Sequence, residues 1–120
     1  MQKESKLVHV LSIGSDPALM KNRQLVLENN GHTVVGVTDE KMLIAACGSH
    51  SFDIAIISHK ISPRMKQRVS TLVRDRCLNI KILEMCDSSD HALHDADSWM
   101  EHPDELQKLA ERVNALAKVG

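Results

Sequence analysis

A hydroxyl, an imidazole and an ammonium group follow one another at Ser58, His59 and Lys60, directly after the almost wholly apolar run of residues 52–57. A continuous apolar run of this length predicts a central strand of a parallel sheet that is covered on both faces. Ligands and reacting groups collect just beyond the carboxyl ends of such strands. Ser58 therefore stands where a reacting group would lie, but the sequence identifies no base that would activate its hydroxyl.

Side chains that can bind metals are concentrated in one short segment. They are Cys86, Asp87, Asp90, His91, His94 and Asp95. His91 and His94 would share one face of a helix, and histidine together with cysteine or aspartate can hold Zn²⁺. Because the spacing matches no standard zinc motif, a zinc site is the alternative here, and we predict no metal and no cofactor.

The composition argues against several classes of function. The 15 Lys and Arg residues nearly balance the 16 Asp and Glu residues, and no basic cluster indicates direct binding of nucleic acid. The apolar runs are too short to span a membrane, and the first residues lack the apolar core of a signal peptide. Cys47, Cys77 and Cys86 are odd in number, widely spaced and without a C-x-x-C pair, which predicts reduced thiols and a cytoplasmic location.

The elements that position these residues alternate between strands and helices. Strands are predicted at residues 7–13, 33–37, 52–57, 80–83 and 98–100, and helices at residues 17–30, 39–48 and 63–77, shortly before Asp95, and from Pro103 onwards. Strand–helix repeats of this kind imply right-handed crossovers onto a parallel sheet. We predict one α/β domain over residues 1–120, a flavodoxin-like (βα)5 three-layer sandwich with strand order 2-1-3-4-5.

The third predicted helix has a basic side. Its members are Arg64, Lys66, Arg68, Arg74 and Arg76. We interpret this side as a solvated face, with a site for a partner as the alternative.

Four segments, in their order and spacing, resemble a response-regulator receiver domain (CheY-like). They are VLSIGSDPAL at residues 10–19, GHTV at 31–34, FDIAIIS at 52–58 and ADSWMEHPDEL at 96–106. The resemblance extends over essentially the whole chain and implies a module of two-component signal transduction or a phosphorelay.

The phosphorylation chemistry of that family needs five groups, none of which this chain retains. Two acidic residues after the first strand bind Mg²⁺ together with an Asp after the third strand, and this Asp accepts the phosphoryl group. A Ser or Thr after the fourth strand and a Lys after the fifth strand contact that group. The corresponding residues here are Gly14, Ser15, Ser58, Glu84 and His102. Asp16 retains a carboxylate, but a helix N-cap role explains it as well.

These departures imply a degenerate pseudo-receiver that lacks the phosphoacceptor Asp. A serine cannot form the acyl phosphate that a carboxylate forms, and Mg²⁺ usually needs carboxylate ligands. Glu84 places a negative charge where the family donates a hydrogen bond, which should repel a phosphoryl group. Trp99 corresponds to the switch aromatic of the family, and we expect it to serve in packing. Because 18 positions separate Glu84 from His102, we expect the fourth helix to be short or irregular.

We therefore predict a non-catalytic, phosphorylation-independent signalling module that binds a protein partner of unknown identity, with its oligomeric state open. Its degenerate phosphorylation pocket comprises Gly14, Ser15, Asp16, Ser58, Glu84 and His102. The alternative is a small-ligand or metal-binding flavodoxin-like domain, although the Asp-x-His-x-x-Gly motif of cobalamin domains is absent. An enzyme that uses Ser58 or Cys86 ranks last, because no base or orienting residue is identified.

Overall fold

The computed structural model describes residues 7–87, 92–101 and 105–118, and in these ranges strands and helices alternate. They are β1 (His9–Ile13), α1 (Pro17–Asn29), β2 (Thr33–Val37), α2 (Glu40–Ser49), β3 (Ile54–Ile57), α3 (Pro63–Arg76), β4 (Lys81–Met85), β5 (Ser98–Met100) and α4 (Leu106–Lys118). The strands are parallel and lie in the order β2-β1-β3-β4-β5. The predicted flavodoxin-like sheet is confirmed.

Side-chain hydroxyls and carboxylates begin three of the helices. Asp16, Asp39 and Ser62 are the N-caps of α1, α2 and α3, and each accepts a hydrogen bond from the backbone N–H three residues further on. Such caps satisfy one of the free N–H groups at a helix start. Gly31 follows α1 with φ = 91°, a left-handed conformation that ends the helix at little steric cost.

The sheet is covered on both faces, which explains why its strands are apolar almost throughout. Successive residues of β3 point to opposite faces. Ile54 and Ile56 pack with apolar residues of α1 and α4, whereas Ala55 and Ile57 pack with those of α2 and α3. β3 and its loop therefore bring Ser58 to the carboxyl edge of the sheet at the centre of the molecule.

The connection between β4 and β5 differs from the prediction. Residues 86–87 and 92–97 form turns and bends, and this described part of the connection contains no helix. Residues 88–91, where the predicted short helix would begin, lie outside the described residues. The last helix begins at Leu106 instead of Pro103, which also lies outside them. None of the helices in the described ranges is long and apolar enough to cross a membrane.

Two of the cysteines form a disulfide, so the prediction of reduced thiols is wrong for Cys47 and Cys77. Cys47 lies in α2 and Cys77 is the C-cap of α3, and their Cα atoms are 5.4 Å apart. This separation is in the usual range for disulfides. The two residues are 30 positions apart in the chain, and only the packing of α2 against α3 brings them together. Cys86 is free and buried.

Candidate functional site

Ser58 and Gly14 lie side by side at the carboxyl edge of the sheet. The backbone N–H of Ser58 donates to the carbonyl oxygen of Ile13 at 2.9 Å, which continues the pairing of β3 with β1 by one residue. A Cβ atom built on Gly14 would lie 3.2 Å from the Cβ atom of Ser58. Asp16, two residues after Gly14, uses its Oδ1 atom to cap α1 by accepting from the N–H of Leu19 at 3.3 Å. The sheet thus brings three predicted pocket residues to one edge.

The guanidinium group of Arg23 lies directly on Ser58. Its Nη1 atom donates to Ser58 Oγ at 3.1 Å, and its Nη2 atom donates to Nδ1 of His59 at 3.0 Å. Arg23 is only 1% exposed, and its Nε atom has no hydrogen-bond partner in the described structure. Burial lowers the pKa of Arg23 below its ordinary value, and the nearby carboxylate of Asp16 offsets this only in part. Because arginine stays charged in proteins, a fixed cation lies beside the Ser58 hydroxyl.

The contact with Arg23 also determines the protonation state of His59. A guanidinium group can only donate, so Nδ1 of His59 must accept and its proton must lie on Nε2. Nε2 points towards Asp87, whose Oδ1 atom is 3.6 Å away. Burial and the neighbouring Arg23 lower the pKa of His59, and Asp87 offsets this only in part. His59 is therefore neutral at neutral pH and gives Ser58 no base, because its accepting nitrogen is already bound to Arg23.

Glu84 is completely buried at the end of β4, and its charge is engaged inside the protein. Lys66 Nζ donates to Glu84 Oε2 at 2.8 Å, and the backbone N–H groups of Ala92 and Leu93 donate to the carboxylate at 2.9 Å each. Burial alone would raise the pKa of Glu84, but these three donors bring it below its ordinary value. Lys66 Nζ also donates to the carbonyl oxygen of Met85 at 2.8 Å.

The prediction of a solvated basic side on α3 is wrong for Lys66, which is 5% exposed. The other four basic residues of that side are exposed. Arg68 forms an ion pair with Glu40 of α2, and Arg74 lies within 3.7 Å of carboxylates at Asp95 and Asp97. On α3, therefore, Lys66 is buried inside the protein, whereas the four arginines are exposed to solvent.

Trp99 is half-buried on β5 and packs against the apolar cluster under α2 and α3. Its indole N–H donates to the carbonyl oxygen of Leu93 at 2.8 Å. Trp99 thus takes part in the packing of this layer. His102, the last of the predicted pocket residues, lies outside the described residues, and Ser15 is exposed at the edge of the pocket.

The described residues contain no group of three or more His, Cys, Asp or Glu side chains that could hold a metal ion. Asp90 and His91 of the alternative zinc site lie outside these residues. Burial, followed by the nearby Glu84, raises the pKa of Cys86 to about 11. Because the thiolate is the reactive form, the Cys86 thiol is not activated as a nucleophile.

Sequence reasoning missed the two cations of this site, although each left a signal. Arg23 interrupts the apolar stripe of α1, and such an interruption can mark a charged side chain directed into the protein. Lys66 lies three and seven positions before Val69 and Val73, so it occupies the buried stripe of α3. What each cation binds depends on residues of other elements and had no local signal.

No family model matches the sequence, and no curated protein matches it. Solved structures do match the fold. A response regulator from Thermotoga maritima superposes with a TM-score of 0.78 at 15% identity, over 92% of this chain and 98% of that chain. The receiver domain of a Francisella response regulator superposes with a TM-score of 0.76 at 18% identity, over 92% and 97%. The fold is that of a receiver domain.

A third similar structure also has the receiver fold. It belongs to an atypical orphan response regulator for which a phosphorylation-independent regulatory mechanism is described, and it superposes with a TM-score of 0.69 at 18% identity, over 93% of this chain and 97% of that chain. At these identities the likeness concerns the fold, and the function has to be argued from the site itself.

Proposed function

We propose that residues 1–120 form a single receiver-like signalling module that is non-catalytic, independent of phosphorylation and active through binding another protein. The observation that supports this most directly is the buried Arg23 guanidinium on Ser58 Oγ, at 3.1 Å. In the receiver family this strand end carries the carboxylate that binds Mg²⁺ and accepts phosphoryl. Here it carries a neutral hydroxyl next to a permanent cation, which disfavours a second cation such as Mg²⁺.

Two further predicted pocket residues, Glu84 and Asp16, support a pocket with one fixed state. Glu84 and Lys66 satisfy each other at the end of β4, and Asp16 is engaged as the cap of α1. A receiver without a phosphoryl-dependent change presents one surface to its partner. The cytoplasmic location remains a prediction, because the disulfide between Cys47 and Cys77 removes the argument from reduced thiols.

A thermal-shift titration with Mg²⁺ and beryllofluoride, a mimic of the acyl phosphate, tests the proposed loss of phosphoryl chemistry. We expect no change in melting temperature, and no phosphorylated protein by intact mass after incubation with acetyl phosphate and Mg²⁺. A receiver domain with an intact phosphoacceptor Asp serves as the positive control. A clear shift, or phosphoryl transfer to the chain, would overturn the proposal.

The partner-binding half of the proposal needs a separate readout. A partner identified by cross-linking in the native cell should bind the purified wild-type protein and a Ser58→Ala variant with the same affinity, with and without acetyl phosphate. An affinity that depends on acetyl phosphate would contradict a phosphorylation-independent mode of action.

A further inference from the structure

A cavity of about 420 Å³ lies beside the Ser58 pocket, between α2 and α3 and above the carboxyl ends of β1 and β2. This volume falls in the range of small-molecule sites, and the position is the edge of a parallel sheet at which ligands bind. The interior of the cavity is apolar and buried, and it includes Ile13, Leu43 and Val69. Met65 stands at the mouth and is 43% exposed, so an occupant would cover apolar surface that now contacts water.

Three charged side chains lie around the mouth, and among the described residues two of them are engaged in other contacts. Asp39 lines the cavity but uses its carboxylate to cap α2, accepting from the N–H of Met42 at 2.8 Å. Glu40 also lines the cavity and is paired with Arg68 of α3. Lys60 is exposed at the same mouth, and its Nζ atom has no ion-pair or hydrogen-bond partner among the described residues.

The helices α2 and α3, which form two walls of the cavity, are joined by two contacts. The Cys47–Cys77 disulfide joins the C-terminal ends of α2 and α3, and the Glu40–Arg68 pair joins these helices nearer the mouth. Walls that are held in place before binding reduce the ordering cost of accepting a ligand.

From the apolar interior and the exposed Lys60 at the mouth, we propose that this cavity binds a small amphipathic carboxylate. The apolar body of the ligand would pack against Leu43, Val69 and Met65, and its carboxylate would lie at the mouth next to Lys60. Such a site goes beyond the proposed signalling function and would provide a chemical input that needs no phosphoryl transfer. Neither Ser58 nor Arg23 lines the cavity, so the beryllofluoride experiment and the ligand experiment can fail independently.

Titration of the ¹⁵N- and methyl-labelled protein with octanoate, kept in its monomeric range, tests the proposal. We expect saturable shift changes at the methyl groups of Leu43, Met65 and Val69. Lys60→Glu should weaken octanoate binding by about tenfold, because attraction is replaced by repulsion. Octylammonium should show the reverse preference, binding the Lys60→Glu variant more tightly than the wild type.

The matched control is Lys21→Glu, the same charge reversal on an exposed residue of α1, the helix that packs on the other face of the sheet. This variant should bind octanoate as the wild type does. Equal octanoate binding by the Lys60→Glu protein, shift changes centred away from the cavity, or no saturable change would each overturn the proposal. In the last case the side chain of a partner protein becomes the next occupant to test.

Discussion

At the residue scale, Arg23 determines the chemistry of the Ser58 pocket because it is a permanent cation that is part of the protein. Its guanidinium contacts two neutral acceptors, Ser58 and His59, and among the residues that the structure describes no carboxylate lies within hydrogen-bond distance of it. A buried charge of this kind is expensive unless it is paired. The electrostatic environment of Ser58 therefore favours a negatively charged side chain at this position.

Ser58→Asp tests this interpretation of the pocket. The new carboxylate would pair with Arg23, so we expect the free energy of unfolding to rise by about 1–2 kcal/mol. We also expect no response to Mg²⁺ with beryllofluoride, because Arg23 neutralises the restored acid. Denaturant unfolding and the thermal-shift titration measure the two outcomes.

Two variants serve as controls for Ser58→Asp. Asparagine has nearly the same size as aspartate but carries no charge, so Ser58→Asn should give no gain in the free energy of unfolding. In the double variant Ser58→Asp with Arg23→Met, the free energy of unfolding should fall by about 3 kcal/mol, since the buried carboxylate is then unpaired. A Ser58→Asp protein no more stable than Ser58→Asn would show that Arg23 does not pair at this position.

His59 gives the pocket a dependence on pH. Its pKa in the folded protein is lowered, so the unfolded chain takes up a proton first as the pH falls. The stability that the fold gains from neutral His59 is therefore fully present above pH 6.5, the ordinary pKa of histidine, and is lost progressively below it. Between pH 7 and about pH 5 we expect a loss of about 1 kcal/mol, measured by urea unfolding.

His59→Gln provides the comparison for the pH experiment. The glutamine side-chain oxygen can accept from Arg23 but does not titrate, so this variant should lose less stability over the same pH range. Parallel pH profiles for the two proteins would mean that groups other than His59 cause the dependence.

At the scale of elements, Lys66 and Glu84 connect α3, β4 and the loop that precedes β5. Glu84 accepts from Lys66 and from the backbone N–H groups of Ala92 and Leu93. A single carboxylate thus holds part of the β4–β5 connection, in which the described residues contain no helix to stabilise it.

Lys66→Met should lower the free energy of unfolding by about 3–5 kcal/mol, because the buried Glu84 carboxylate loses the cation with which it is paired. The loss should shrink at acid pH, since the pKa of Glu84 rises once Lys66 is gone and its neutral form becomes accessible. Arg64→Met, which removes an exposed charge from the same helix, is the matched control and should change stability by less than about 0.5 kcal/mol. Equal effects of the two substitutions would contradict a structural role of the Lys66–Glu84 pair.

At the scale of the whole molecule, the sheet separates two apolar layers, and the disulfide cross-links only the layer of α2 and α3. Cys47 and Cys77 close a loop that contains β3 and the whole of α3. A cross-link of this kind acts mainly on the unfolded chain, whose freedom it restricts.

Reduction with dithiothreitol should therefore lower the free energy of unfolding by about 3–4 kcal/mol, as expected for a loop closed over 30 positions. Thermal melts with and without the reductant measure this loss. Cys86→Ser should keep the full sensitivity to the reductant, whereas Cys47→Ala combined with Cys77→Ala should abolish it. Three titratable thiols in the protein denatured without reductant would contradict the disulfide.

The sequence alone determined the α/β class, the parallel sheet and its strand order, because these follow from local patterns. The runs of β-branched residues, the cap at Asp16 and the break at Gly31 act over a few positions, and short crossovers leave few topologies. That a serine, Ser58, follows the third strand is also given by the sequence, because it depends only on which residue stands at that position.

Only the tertiary structure decided how the pocket and the helices are held. Arg23 and Ser58 are 35 positions apart, Lys66 and Glu84 are 18 apart, and Cys47 and Cys77 are 30 apart. Each contact joins side chains from different elements, so it depends on how the helices lie on the sheet. A long side chain at a stripe position can be solvated or buried, and its partner is known only when the elements pack.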